Sequence, residues 1–339
     1  DRRIRGEKIF ISSGARPFVP PIQGLDGVDY LTNETVLDLQ ELPKSLVIIG
    51  GGYIAVEYAH FFSAMGTEVT LIQRGDRLVK EEEPEISAKL RERLETRMDV
   101  HTGHEVEAVR REDGGCTVTA RGKGSGRTRT FRAERILVAA GRHSNADRLQ
   151  VERTGVSTDD RGYIAVNNRL ETGKENVWAF GDAVGRKMFR HAANREAELV
   201  WRSVFHGETG EMAFDLVPHA VFSRPEIASV GMTEAEALAS HGEEQVWVGF
   251  AEYRDTARGE AMAEDHGFAK AILEEEGELL GFHIIGPRAS ILIQEVVNAM
   301  ATEGTFLPVL LGIHIHPALT ELVPAAIENA QPASAVRPE

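Results

Sequence analysis

Two stretches of the 339-residue chain carry residue types that could do chemistry together. Near the C-terminus runs Ile313-His314-Ile315-His316-Pro317-Ala318-Leu319-Thr320-Glu321. A histidine with a carboxylate five residues on can form an oriented imidazole–carboxylate pair suited to general acid–base work. An ordinary surface pair of histidines would read the same way, and at this level both remain open. No further Cys or His cluster accompanies them, which argues against zinc. The second stretch, Gly50-Gly51-Gly52-Tyr53-Ile54-Ala55, fits the dinucleotide fingerprint G-x-G-x-x-G/A. In that pattern Gly50 permits the tight turn and Gly52 lets a pyrophosphate approach the backbone. Ala55 allows close helix–strand packing, and the helix N-terminus stabilises the phosphate charge.

The surrounding elements supply the context the fingerprint requires. Leu46-Val47-Ile48-Ile49 is a continuous apolar run, as expected of a parallel strand buried on both faces. From Tyr53 the spacing turns helical, with Ile54, Ala55, Tyr58, Ala59, Phe62 and Met65 able to share one face and Gly66 to end the helix. Val69–Ile72 then forms a second strand. The tip of that strand selects the nucleotide, because an acid there binds the adenosine ribose whereas an arginine favours a 2′-phosphate. Here it reads Ile72-Gln73-Arg74, with Arg77 close behind. That leans toward NADPH over NAD; the competing reading makes Arg74 and Arg77 ordinary solvated charges.

Beyond this unit the pattern gives a helix from Pro84 to about Met98, then an antiparallel meander over 105–110, 116–120 and 128–132. A buried strand over 135–140 ends at Gly141. Short strands follow at 163–166 and 177–180, and a helix at 192–206. Strands at 220–222, 246–250, 269–273 and 280–285 and a helix at 291–301 read as a separate α+β domain. At the other end, the strand 8–12 stops at Ser13-Gly14, and Pro17, Pro20 and Pro21 force an extended connection. These patterns give an α/β fold class, with a doubly wound Rossmann-like unit and a separate C-terminal α+β domain.

Composition narrows the function classes. Hydrophobic residues make up 42% and charged residues 27%, so the chain should form a core, and a net charge of −15 repels nucleic acid and anionic membranes. No apolar run approaches the ~20 residues a membrane span needs, and no leader precedes the first strand; a cytoplasmic protein is expected. The one cysteine, Cys116, excludes an internal disulfide or a CxxC pair and reads as a structural residue at a strand start. The acid run Glu81-Glu82-Glu83, with Glu85, reads as a solvated helix start rather than a metal site, and no metal is expected elsewhere.

Three motifs in order resemble one family. Residues 50–57 read GGGYIAVE, residues 176–182 read NVWAFGD, and His316-Pro317 is followed by Glu321. Together with Leu216–Ala237 they resemble the pyridine nucleotide–disulfide reductases, the family of glutathione reductase and dihydrolipoamide dehydrogenase, with mycothione- and mercuric-reductase-like members. The resemblance implies an α/β fold of Rossmann-like FAD/NAD(P)-binding domains plus a C-terminal α+β dimerisation domain. Its domains would lie at 1–42 (part of the FAD domain), 43–145 (NAD(P) domain), 146–215 (the returning FAD half) and 216–330 (dimerisation), with a tail at 331–339. It implies FAD and NADP as cofactors (NAD as the alternative), a homodimer, and a small-molecule or protein disulfide as substrate. Gly50, Gly52 and Ala55 would hold the pyrophosphate, Tyr53 would gate the flavin, Glu57 would lie near the nicotinamide, and Gln73 and Arg74 would face the ribose. Gly14 and Gly141 would be cofactor-binding too, Asp182 would bind the ribityl chain, and Met188, His191 and Ala192 would lie near the flavin ring. His316, oriented by Glu321, would serve the partner subunit's site. The family's first G-x-G-x-x-G and its CxxxxC do not occur before Phe10, so a mononucleotide-binding half of roughly a hundred residues is expected to be absent. The chain as given should then lack disulfide chemistry; the alternative functions are an NAD-dependent dihydrolipoyl dehydrogenase and a non-catalytic nucleotide-binding dimer.

Overall fold

The computed structural model describes residues 4–336, which fold as two compact units. One takes the residues up to Phe18 together with Gly141–Val217; the other takes Val19–Ala140 with Pro218 and the residues after it.

The second unit is built on a parallel sheet in the order Asp99–His101, Glu68–Ile72, Ser45–Ile49, Arg135–Val138. Ser45–Ile49 is central, and its side chains alternate between two cores, as the two-residue period of a strand dictates. Leu46 and Ile48 pack with the helices Tyr53–Ala64 and Pro84–Glu95 through Ala55, Val56, Phe62, Leu90 and Leu94. Val47 and Ile49 pack with Val118 and Ala120 of an antiparallel meander, His104–Glu112, Gly115–Gly122 and Thr128–Ala133. Gly66, at φ +95°, stands in the left-handed conformation just past the helix that Tyr53 opens.

The same unit carries a six-stranded antiparallel sheet in the order His219–Val221, Ile227–Gly231, Leu279–Ile285, Phe268–Glu274, Val246–Glu252, Gln331–Pro332. The segment expected as a tail thus contributes an edge strand: Gln331 and Pro332 pair with Val248 and Trp247, and Ala333 is buried behind them. Residues 337–339 of that expected tail lie outside the described residues.

In the first unit Ile9–Ile11 pairs in parallel with Val177–Ala179, and Ala15–Pro17 pairs antiparallel with Arg142–Ser144. The helix Arg190–His206 begins two residues before the expected start. The strand expected at 163–166 reduces to isolated bridges, Thr158 to Ile164 and Val166 to Thr172. There the Asp159 carboxylate takes the N–H groups of Arg161 and Tyr163, a turn-type bond that competes with a ladder.

The acid run also departs from expectation. Glu82 and Glu83 are 3% and 1% exposed, immediately before the helix that Pro84 opens. Glu82 accepts hydrogen bonds from Ser229 and His219, both at 2.6 Å, and Glu83 pairs with Lys270 at 2.6 Å. A solvated start is what local sequence suggests; partners from the C-terminal sheet convert it into a buried polar junction.

Candidate functional site

The glycine turn has the backbone its sequence demands. Gly50 sits at φ +135°, where a Cβ would collide with the Ala139 carbonyl, so glycine is required by both conformation and space. At Gly51 a Cβ would press within 2.7 Å of the Gln73 side chain. Gly52 differs: its backbone is extended, and a Cβ there would meet nothing within 4 Å. Open space therefore lies over the start of Tyr53–Ala64, and no side chain caps that helix. The partial positive charge of that helix N-terminus can therefore face an anionic ligand. Ala55 is fully buried against the sheet, and Tyr53 packs at the edge of the same core.

Glu57 lies one turn along. Its Oε1 accepts the Phe222 N–H at 2.9 Å. Burial pushes the Glu57 carboxyl above the ordinary carboxylate value, and that hydrogen bond opposes the rise. At the strand tip the Gln73 amide donates to the Arg77 carbonyl at 3.3 Å. Arg74 is 72% exposed, with Glu105 only loosely paired at 3.8 Å. An arginine held so weakly is free to meet a phosphate.

The first unit holds the other group of expected residues. Gly14 and Gly141 adopt φ +68° and +129°, and neither would meet anything within 4 Å if given a Cβ. Asp182 lies in the turn Gly181–Ala183, where its Oδ2 accepts from Arg142 Nη1 at 2.5 Å. Arg142 also donates to the Ala15 carbonyl at 3.1 Å, tying this turn to the strand beside Gly14. Met188 receives the Tyr163 hydroxyl at 3.7 Å, and the His191 ring stacks on Phe189 at 5.6 Å. The Ala192 side chain is buried in a core, so toward a ligand that residue can offer only main chain. Ser13 Oγ and Arg142 Nε are buried here without a partner. Orphaned polar atoms beside Gly14 and Asp182 fit a polar prosthetic group such as FAD.

The C-terminal motif is assembled. His316 Nδ1 donates to Glu321 Oε1 at 2.8 Å, while Glu321 Oε2 accepts the Ala318 N–H at 2.9 Å. Those two bonds, the backbone one first, hold the Glu321 carboxyl below its usual range. With Nδ1 engaged by a carboxylate, Nε2 of the 70%-exposed ring is left to take or give a proton. Residues are thus positioned in three groups: the cradle and the dyad in the second unit, and the Gly14–Asp182 group in the first.

Sequence reasoning missed three features. His314 is tethered by Glu295 of the helix Ala289–Thr302 at 2.8 Å, so the two histidines of the motif have different carboxylate partners. Arg142 is the charge partner of Asp182; its place directly after Gly141 was the available signal. Glu83, Glu85 and Glu234 converge as a cation ligand set would, but the Lys270 ammonium occupies their centre at 2.6, 3.3 and 2.7 Å.

A strand–glycine turn–helix cradle, an antiparallel C-terminal domain and a histidine–glutamate dyad together define a flavin-linked pyridine nucleotide oxidoreductase. The chain belongs to the pyridine nucleotide-disulphide oxidoreductases: residues 1–197 match that family, and residues 217–327 match its dimerisation domain. It is 37% identical over 336 residues to mycothione reductase of Mycobacterium tuberculosis, covering 95% of this chain and 70% of that protein. It is also 37% identical over 337 residues to dihydrolipoyl dehydrogenase of Haloferax volcanii, covering 96% and 69%. Among solved structures, the HOCl-induced flavoprotein disulfide reductase RclA from Escherichia coli superposes with a TM-score of 0.83 at 28% identity, over 96% of this chain and 74% of that one. Among the described residues, no helix is long and apolar enough to cross a membrane.

Proposed function

We propose that the protein works in the cytoplasm as a homodimeric, NADPH-preferring reductase of a disulfide substrate, with FAD as the relay. The observation that carries this reading is the His316–Glu321 dyad, held at 2.8 Å with Nε2 left accessible. A nucleotide cradle alone suits many dehydrogenases; an oriented imidazole in the same chain suits a reaction that must protonate a leaving thiolate.

The cradle residues Gly50, Gly52 and Ala55 seat the pyrophosphate at the helix N-terminus, and Arg74, with Arg77, meets the 2′-phosphate. Glu57, fixed by the Phe222 N–H, orients the carboxamide end of the nucleotide, and Tyr53 screens that end from water. Asp182, Arg142, Gly14 and Gly141 bind the flavin's polar chain, and the main chain at Met188, His191 and Ala192 supports its ring. FAD, when bound, accepts hydride from the nucleotide and passes electrons on singly or in pairs. Two electrons relayed from the flavin through a dithiol, which these 339 residues do not contain, would break the substrate S–S bond; His316 would then protonate the departing thiolate while Glu321 steadies the imidazolium, the dyad serving the site of the partner subunit. Exposed Leu311, Ile313 and Ile315 beside the dyad support its burial against a second copy. The chain's only cysteine, Cys116, is buried and donates to the Ala133 carbonyl, so the family's redox pair is not among these 339 residues.

The test is anaerobic reduction of protein incubated with FAD. Bleaching of bound flavin by NADPH faster than by NADH supports the reading. Faster reduction by NADH would favour a dihydrolipoyl-dehydrogenase type of activity, and nucleotide binding without flavin binding would favour a nucleotide-binding dimer.

A further inference from the structure

One cluster of two arginines and a histidine is left unexplained by the site. His60 lies on the helix Tyr53–Ala64, Arg97 follows the helix Pro84–Glu95, and Arg224 lies in the turn after the strand His219–Val221. These elements share one core, through Phe62, Leu94 and Val221. Arg97 Nη2 donates to the Arg224 carbonyl at 2.7 Å, which fixes the guanidinium beside that turn and leaves its other donors for something else. His60 Nδ1 is buried without a hydrogen-bond partner.

The surroundings lack the negative charge these groups call for. The chain has 53 acidic residues against 38 Lys and Arg, and exposed arginines elsewhere take carboxylates, as Arg91 does with Glu95 and Arg202 with Glu198. Among the described residues, neither Arg97 nor Arg224 has such an ion pair. Glu57, one helical turn before His60, is occupied by the Phe222 N–H. Burial first, then the charges of Arg97 and Arg224, holds His60 below the ordinary imidazole value. Burial first, then Arg224 and Arg93, lowers Arg97 in the same way. The C-terminus of Pro84–Glu95 favours a nearby cation, but only by a fractional charge. A bound oxyanion would remove the repulsion and satisfy several donors at once.

We propose that His60, Arg97 and Arg224 form a binding site for a phosphate-type oxyanion, distinct from the glycine cradle. His60 lies eight residues along the helix from Gly52, about 12 Å at 1.5 Å per residue, so both sites can be filled together. Two arginine forks supply the charge-assisted bonds, and the unpartnered imidazole nitrogen adds one more.

The experiment is titration of inorganic phosphate into the full chain by calorimetry, with saturating ADP present to occupy the cradle. Arg224→Gln is the primary variant, because its exposed side chain holds no other group in place; Arg97→Gln is the second, and Arg148→Gln is the control. Phosphate should bind the wild type and the control, and each cluster substitution should weaken it about tenfold or more. No phosphate binding to wild type, or equal binding to Arg224→Gln, would overturn the site. Neither result bears on the nucleotide reading, which the ADP titration reports by itself.

Discussion

The Lys270 ammonium lies 2.6 Å from Glu83 Oε2, and the two side chains are 0% and 1% exposed. They join the strand Phe268–Glu274 to the entry of the helix Pro84–Glu95, so an ion pair without solvent ties the nucleotide-binding sheet to the C-terminal sheet. Replacing Lys270 by Met leaves Glu83, Glu85 and Glu234 facing one another without a cation. The expected cost is about 3–5 kcal/mol, the usual penalty for an uncompensated buried charge. Urea unfolding at neutral pH measures it, and Lys270→Met/Glu83→Gln should recover part of the loss. A single variant as stable as wild type would contradict the account.

Glu82 gives the pH dependence. Burial alone would raise its carboxyl, but the His219 and Ser229 hydrogen bonds outweigh it, and its folded value lies below the ordinary 4.5. A depressed carboxyl contributes stability that is complete above the unfolded value and disappears as pH falls through the folded one. The unfolding free energy should therefore fall with acid below about pH 4.5, and Glu82→Gln should make that fall shallower. Urea unfolding of both proteins across the acid range decides it; parallel curves would remove Glu82 from the explanation.

For the dyad, the carboxylate is expected to fix the tautomer. Glu321 accepts from Nδ1 of His316, so the neutral ring should carry its proton there. Nitrogen chemical shifts of histidine-labelled protein should show the Nδ1–H form for His316, and Glu321→Ala should return it to a mixture. An unchanged tautomer in the variant would mean that Glu321 does not orient the ring.

The proposed preference for NADPH rests on Arg74. Arg74→Glu should weaken NADPH by about 1–3 kcal/mol, the range for a charge-assisted hydrogen bond, while leaving NADH little changed. Equal losses for both nucleotides, read by fluorescence titration, would refute a 2′-phosphate contact.

The parts legible in sequence were those fixed by local pattern. The glycine turn at 50–52 could be read because the apolar run before it and the helical spacing after it are both short-range signals. The His316–Glu321 pair was legible because five residues separate its members. Glu82 was misread because the groups that bury it, His219 and Ser229, come 137 and 147 residues later. No local rule reports partners at that range. The pairing of Arg142 with Asp182, 40 residues apart, was hidden for the same reason. The edge strand Gln331–Pro332 was lost because two residues carry no periodicity.

Nucleotide affinity of Gly52→Val tests the central claim most directly. Open space surrounds Gly52, and its backbone is extended, so a valine there should leave the fold intact while occupying the approach to the helix N-terminus. Calorimetric titration with NADPH should give clear binding to the wild type and none measurable to the variant, at equal melting temperature. Undiminished binding to Gly52→Val would contradict the assignment of the glycine turn as the nucleotide cradle.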